Sequence, residues 1–326
     1  MSRALDKGVK EALRNGDHQS VFDDISNALV RPQDQLIEIE ILRHSALFDP
    51  DVNFLQDDNA LAVPKMRLVQ AFIVARQILM SHVKGKVNDS YAVLTKTTAV
   101  ILLMDPEFLT AANTRKRLLQ ERLRHNDATS SLKDEKHFID SLLTSRLHRH
   151  TKSPTLWNHR RWLMDQFRTQ GLDIAVEDDI RNIIAVAGER HPRNYYAWCH
   201  ARYLVNTILD SSQNCEKTLS GVINIVKKWS FSHHDDISGW QFLLLLLVKH
   251  PSETSGTIRE TLHLVEPFKW RNESVWYFLR YAVASPHATH QDRDEVSRIR
   301  TMLWETATEE SQERHTLEAA ERWIYL

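Results

Sequence analysis

Two stretches decide the fold: SPTLWNHRRWL at residues 153–163 and PRNYYAWCHARYL at 192–204. Each places a proline or asparagine turn ahead of a tryptophan, then a histidine two residues on and an arginine three or four on. Trp157 and Trp198 stand 41 residues apart; ISGWQFLLLL puts Trp240 another 42 on, and NESVWYFLRYAV puts Trp276 a further 36 on. Upstream, DPEFLTAANTRKRLL sets Ala112 in the same slot, 45 residues before Trp157. A unit that returns about every 40 residues signals stacked helical hairpins or propeller blades.

Hydrophobic spacing separates the two. Between Val176 and Ala187 the apolar residues fall at 176, 180, 183, 184 and 187, one stripe of a helix rather than strand alternation. Each unit therefore reads as an amphipathic helix such as 174–190, a turn, and a second helix that opens with the tryptophan segment, such as 194–210. Asp105-Pro106, Ser153-Pro154 and His191-Pro192 mark equivalent turns, because the residue before proline avoids the helical region while proline suits a first helical turn. The expected fold is all-α, an α-α superhelix in which helical hairpins stack as a solenoid. Repeats are expected at about 89–125, 134–169, 174–210, 214–249 and 255–285, with a closing unit at 290–326 and an N-terminal helical cap at 1–88. Within the cap, 20–46 and 65–82 are predicted helices and 47–64 a loop.

Composition narrows the chemistry. Forty-two per cent of the 326 residues are hydrophobic, enough for a sizeable core. Only eight residues are glycine, and none stands closer than eight residues to the next, so no GxGxxG or GxxxxGK[ST] phosphate loop can be written. Basic and acidic residues balance at 42 and 43, which supplies no global field for nucleic acid or membrane. Cys199 and Cys215 are too few for a disulfide framework or a cysteine metal site, in keeping with a reducing, cytoplasmic setting. The longest apolar run, Phe242 to Val248, is far short of the ~20 residues a bilayer requires, and is read as part of a helix buried on all sides. Neither a signal-peptide core at the start nor a prenylatable cysteine at the end is seen, so a chain without lipid or stable membrane insertion is expected.

The recurring residues have a structural and a chemical reading. Trp157, Trp198, Trp240 and Trp276 fill grooves between hairpins, while Arg160, Arg202 and Arg280, and Arg115 after Ala112, lie on the same helix face, where a guanidinium stacks on a ring or caps neighbouring carbonyls. His159 and His200 recur with them, but no acid or cysteine keeps step, which disfavours a metal site. The run His233-His234-Asp235-Asp236, just before Trp240, reads as an inter-repeat turn. Between 146 and 161 lie Arg146, His148, Arg149, His150, Lys152, His159, Arg160 and Arg161 with no acid among them. Such a turn can hold a pyrophosphate; the alternative is a solvated basic edge balanced by acids elsewhere, such as Glu177-Asp178-Asp179.

A turn followed by TLWNHRRWL or YxAWxHxR at this period, together with VFDDISNAL near the start and LLMDPEFLTAANTRKRLL, resembles the α-subunit family of protein prenyltransferases from about residue 20 to about 285. Ala112 replaces an expected tryptophan, and Ala201 and Leu243 replace expected arginines three residues after Trp198 and Trp240. The resemblance implies a crescent of helical hairpins around a separate β subunit that holds a zinc ion and most of the active site, with no cofactor in this chain. Zinc lowers the pKa of the acceptor thiol, and positive groups stabilise the departing diphosphate. By resemblance, Lys152, five residues before Trp157, is the lysine offered to the diphosphate. Asn194, Tyr195 and Tyr196 occupy the place of an Asn-Tyr-His triplet on the prenyl-diphosphate side, Tyr196 departing from it.

The implied function is a non-catalytic α-type subunit of a heterodimeric protein geranylgeranyltransferase. The pair would move a geranylgeranyl group from its diphosphate to a protein cysteine, and this chain would be inert alone. The implied partners are a β subunit of the Rab geranylgeranyltransferase type, a protein substrate with a C-terminal cysteine motif, and the prenyl diphosphate. Two alternatives stand beside it: the shared α subunit of farnesyltransferase and type I geranylgeranyltransferase, and a helical-repeat scaffold that has lost prenylation.

Overall fold

The computed structural model describes residues 17–31, 34–42, 52–124, 128–208 and 215–324. It divides into two compact units, 1–174 and 175–326.

In the first unit, Asp17 accepts a hydrogen bond from the Ser20 N–H at 3.0 Å and starts α1 (His18–Val30), which buries Val21, Phe22, Ile25 and Leu29. Three strands follow: β1 (Glu38–Leu42), β2 (Leu55–Asp57) and β3 (Ala60–Pro64). β3 is central, parallel to β1 and antiparallel to β2. Then come α2 (Lys65–Val83), α3 (Tyr91–Met104), α4 (Leu109–Leu123), α5 (Ala128–Leu143), a single turn α6 (His148–Thr151) and α7 (Pro154–Thr169). α1, α2 and α3 pack together, α4 joins α3, and α5 packs on α7.

The sheet corrects the reading of the cap. The predicted helix 20–46 stops at Val30, and strand β1 occupies part of it; β2 and β3 lie in the predicted loop. Residues 1–16, 32–33 and 43–51 of the expected cap lie outside the described residues. The strand has a plain cause: from Ile37 to Ile41 apolar and acidic residues alternate strictly, which is the period of a strand with one buried face. Ile37 and Ile39 are buried, as are Leu61 and Val63 at alternate positions of β3. The Ile37 N–H donates to Ser141 Oγ on α5 at 3.0 Å, which fastens the sheet to the helices.

The second unit contains a helix that runs as α8 (Val176–Asp179), a π-helical turn Ile180–Ile184 and α9 (Ala185–Arg190). It continues with α10 (Tyr195–Tyr203) extended by a π-helical Leu204–Ile208, then α11 (Cys215–Ser232), α12 (Ile237–Lys249), α13 (Thr254–Phe268), α14 (Glu273–Val283), α15 (His290–Glu305) and α16 (Gln312–Ile324). Alternate helices pack side by side in two rows: α10, α12, α14 and α16 in one, and α8, α11, α13 and α15 in the other. Periodic ion pairs tie the second row. Lys227 meets Glu260 at 2.8 Å, Arg259 meets Asp292 at 3.0 Å and Arg298 meets Glu266 at 2.9 Å. The chain is thus an all-α helical-repeat protein with one small sheet. No helix among the described residues is long and apolar enough to cross a membrane.

The run at 242–248 is not buried on all sides. Phe242, Leu243, Leu246 and Leu247 face the core, whereas Leu244 and Leu245 are half-buried and Val248 is 80% exposed.

Trp229 on α11 sits where the hairpins close. Its indole Nε1 donates to Ala185 O at 3.1 Å, its ring packs edge-on against Trp198, and His233 stacks on it. Gly188 and Gly239 permit that approach: a Cβ at 239 would fall 2.6 Å from a ring carbon of Trp229, and one at 188 would fall 3.0 Å away. Gly256, on α13, faces open space. Gly239→Ala is therefore expected to destabilise the protein by about 1–3 kcal/mol through overpacking. Gly256→Ala is expected to be neutral or to stabilise by up to about 1 kcal/mol through helix propensity. Urea melts of the two variants check the contrast.

Candidate functional site

The four helices that open with the recurring tryptophans begin in the same way. The residue four before the tryptophan is the N-cap: Ser153, Asn194, Asp236 and Asn272 for Trp157, Trp198, Trp240 and Trp276. Ser153, Asn194 and Asp236 accept from backbone N–H groups of the first turn at 3.1, 3.2 and 2.9 Å. Each tryptophan then reaches back six residues: Trp157 Nε1 donates to Thr151 O at 2.8 Å, Trp240 to His234 O at 3.0 Å and Trp276 to Trp270 O at 2.9 Å. Trp198 departs from this, its buried Nε1 having no acceptor among the described residues. Turns are also bonded to turns. Ser153 Oγ donates to Pro106 O, the Arg193 N–H to Asp236, and Asn272 Nδ2 to the His234 carbonyl that already receives Trp240. His233 to Asp236 form this inter-repeat turn, as their place in the sequence predicts.

The basic stretch at 146–161 separates into buried and exposed groups. His159 is fully buried, with Nε2 2.9 Å from Glu135, which also takes a forked pair of bonds from Arg115 at 2.8 and 2.6 Å. Arg160 is equally buried and donates through Nε to Asp140 at 2.7 Å; Lys136 meets the other oxygen of Asp140 at 2.7 Å. Arg115 thus joins one repeat to the next, and Arg160 joins the two helices of its own repeat. Despite the cost of burial, Arg115 and His159 hold the Glu135 carboxyl down at about 2. Arg149 pairs with Asp105 at 2.9 Å. His150 is buried and its Nε2 lies 3.0 Å from both Leu102 O and Leu103 O. Carbonyls only accept, so Nε2 carries a proton, and burial of the ring keeps it neutral near pH 7. Burial lowers its pKa to about 4 and lowers that of His159 too. The acids that meet this stretch are Asp105, Glu135 and Asp140, whereas Glu177 is taken by Arg181 at 2.7 Å.

Lys152 is exposed at the C-terminal end of α6, one residue before the Ser153 cap, and makes no ion pair among the described residues. Asn194 is buried and fully used, capping α10 and donating to Ala187 O at 3.2 Å. Tyr195 and Tyr196 stand exposed beside it, edge to face at 5.4 Å. Arg202 donates to Trp198 O at 3.1 Å, and Arg280 pairs with Glu273 at 2.7 Å and lies over the Tyr277 ring at 5.0 Å.

One surface was not anticipated from the sequence. On α12 and α14, which pack side by side, positions four, five and eight residues after the tryptophan lie on the side away from the core. They hold Leu244, Leu245 and Val248 on α12 and Arg280, Tyr281 and Ala284 at and just past the end of α14, with Tyr277 beside them. Together they make an apolar ridge with an arginine at its edge.

Helix rows, capped turns and recurring tryptophans define a helical-repeat protein. Residues 134–167 match the protein prenyltransferase alpha subunit repeat, and residues 156–268 match the ECM9 middle domain. Similar proteins include protein prenyltransferase alpha subunit repeat-containing protein 1 of Danio rerio, 28% identical over 52% of this chain and 41% of the relative, and that of Homo sapiens, 29% identical over 53% and 45%. Protein ECM9 of Saccharomyces cerevisiae is 27% identical over 52% of this chain and 44% of its own. The chain matches this repeat over 134–167 and is similar to these proteins over about half of its own length and less than half of theirs.

Acid should loosen the first unit. His150 is neutral when folded but takes up a proton near 6.5 when unfolded, so the stability tied to it is complete above about pH 6.5 and is lost as the pH falls toward 4. Glu135 extends the loss from its ordinary 4.5 toward about 2. The melting temperature is expected to fall steadily from pH 6.5 to 4, by an amount worth up to roughly 3 kcal/mol for His150. His150→Gln should be less stable at pH 7 and flatter across that window; calorimetry at stepped pH checks both.

Proposed function

We propose that this chain is a helical-repeat scaffold that binds a partner polypeptide along the α12–α14 ridge, and that the partner is a β-type subunit of a protein prenyltransferase. The carrying observation is the ridge: half-buried and exposed apolar and aromatic side chains with a guanidinium, at equivalent positions of two helices that pack side by side and whose opposite faces fill the core. Such a composition favours a protein interface over bare solvent. The alpha-subunit repeat and the relatives that share it support the choice of partner. In this reading the chain positions its partner and takes no part in bond making. Arg115, His159, Arg160 and Asn194, the side chains that most resemble chemical groups in the sequence, are committed to buried structural bonds.

A second reading rests on Lys152, an exposed cation with no ion pair among the described residues, at the position the repeat offers to a diphosphate. Here the chain is the α subunit of a heterodimeric protein geranylgeranyltransferase. Its partner holds zinc, and the Lys152 ammonium meets the negative charge that grows on the leaving diphosphate.

Sizing chromatography of the purified chain with prenyltransferase β subunits tests the proposal, and a transfer assay on any pair separates the two readings. The expected result is a complex with one β subunit that Leu245→Glu/Val248→Glu abolishes, with no transfer above that of the β subunit alone. Absence of a complex with every β subunit contradicts both readings. A pair that transfers the prenyl group, and that Lys152→Ala slows by about tenfold to a hundredfold, establishes the second reading, since a charge-assisted contact of this kind is worth roughly 1.5–3 kcal/mol.

A further inference from the structure

The first unit contains a cavity of about 480 Å³ bordered by the end of α1, the first turns of α3, and α4 and α5. Its lining is cationic beyond what its acids balance. Arg115 and Glu135 both border it, but they neutralise each other in the buried forked pair. Arg122 lies 4.1 Å over the Tyr91 ring, its charge facing the same space. Arg31, Lys96 and Lys133 have no carboxylate within ion-pair distance among the described residues, and Asp134 is the acid left to face them. Lys96 is half-buried and the neighbouring Leu29 and Phe138 are buried, so part of the wall is dry and the local dielectric is low.

Lys96 is half-buried at the dry part of this wall with no acid beside it among the described residues, and the exposed Arg31 and Lys133 add charge of the same sign to the lining, so an anion in the space meets all three. Three cations of the second unit, Lys227, Arg259 and Arg298, each meet an acid at 2.8–3.0 Å. Lys96 and Lys133 meet none among the described residues. A volume of this size is that of a small-molecule site. We infer that the cavity between α1, α3, α4 and α5 binds a phosphoryl anion of two or more charges, held by Lys96, Lys133 and Arg31. Arg31 supplies the planar fork suited to phosphate oxygens, and the lysines supply point charges. Neither Lys152 nor the ridge borders the cavity, so this inference does not depend on the function proposed above.

Calorimetric titration of the full chain with inorganic pyrophosphate at low ionic strength tests the site, with a parallel arm using vesicles that carry a phosphorylated headgroup. Expected are saturable one-to-one binding, a rise in melting temperature, at least tenfold weakening in Lys96→Gln/Lys133→Gln, no change in Lys152→Gln, and loss of most affinity at about 0.3 M salt. Lys133→Gln alone, at an exposed position, gives an intermediate loss and guards against misfolding of the double variant. Binding that appears in the vesicle arm only, with the same lysine dependence, assigns the phosphoryl group to a lipid headgroup rather than a free molecule. No binding in either arm, or binding that survives in the double variant, or binding that Lys152→Gln removes instead, overturns the inference.

Discussion

The repeat architecture depends on how each inter-helix turn is closed. A helix start leaves backbone N–H groups without partners and a turn leaves carbonyls exposed, and both are expensive to bury. Here one short segment answers both needs: a cap residue four before the tryptophan satisfies the first turn, and the indole reaches back six residues to the turn's carbonyl. The ring fills the space between helices while its N–H fixes the chain's entry angle. Since the next repeat's asparagine bonds the same His234 carbonyl, closing one turn also places its neighbour. Trp198 keeps the ring and loses the bond, and around it the helices widen into two π turns, Ile180–Ile184 and Leu204–Ile208.

This economy leaves few groups available for chemistry. His159 and Arg160, which look like reagents in TLWNHRRWL, are held in a buried polar layer with Glu135 and Asp140. Once paired, a buried charge strongly resists being freed, because losing its partner leaves it in a medium that cannot solvate it. Lys152, the Tyr195-Tyr196 pair and part of the α12–α14 ridge remain outward.

Much of this was legible in the sequence, for reasons that can be named. The 40-residue recurrence of tryptophan and the 3–4 spacing at 176–187 gave the helical hairpins because packing between identical units demands identical residues at identical phases. Strand β1 was equally legible in its alternation at 37–41, but the helical context around it carried the reading past Val30. The uneven burial of 242–248 was hidden, because seven apolar residues in a row show no face at all and the exposed side is set by neighbours. Glu135 and Asp140 were hidden too: each sits 20 residues from its arginine, beyond the reach of local spacing rules. The cationic cavity gathers residues from 31 to 133, which only the fold brings together.

Replacing indole by a ring without its N–H tests the turn closure most directly. Both Trp240→Phe and Trp198→Phe lose ring volume from a fully buried site, but only Trp240 gives up a hydrogen bond to a turn carbonyl. In matched urea melts, Trp240→Phe is predicted to cost about 0.5–1.5 kcal/mol more than Trp198→Phe, the net worth of one hydrogen bond to a carbonyl that keeps its second bond from Asn272. Equal losses, or a larger loss at Trp198, would mean that ring packing alone closes the turns and that the reach-back bond is incidental.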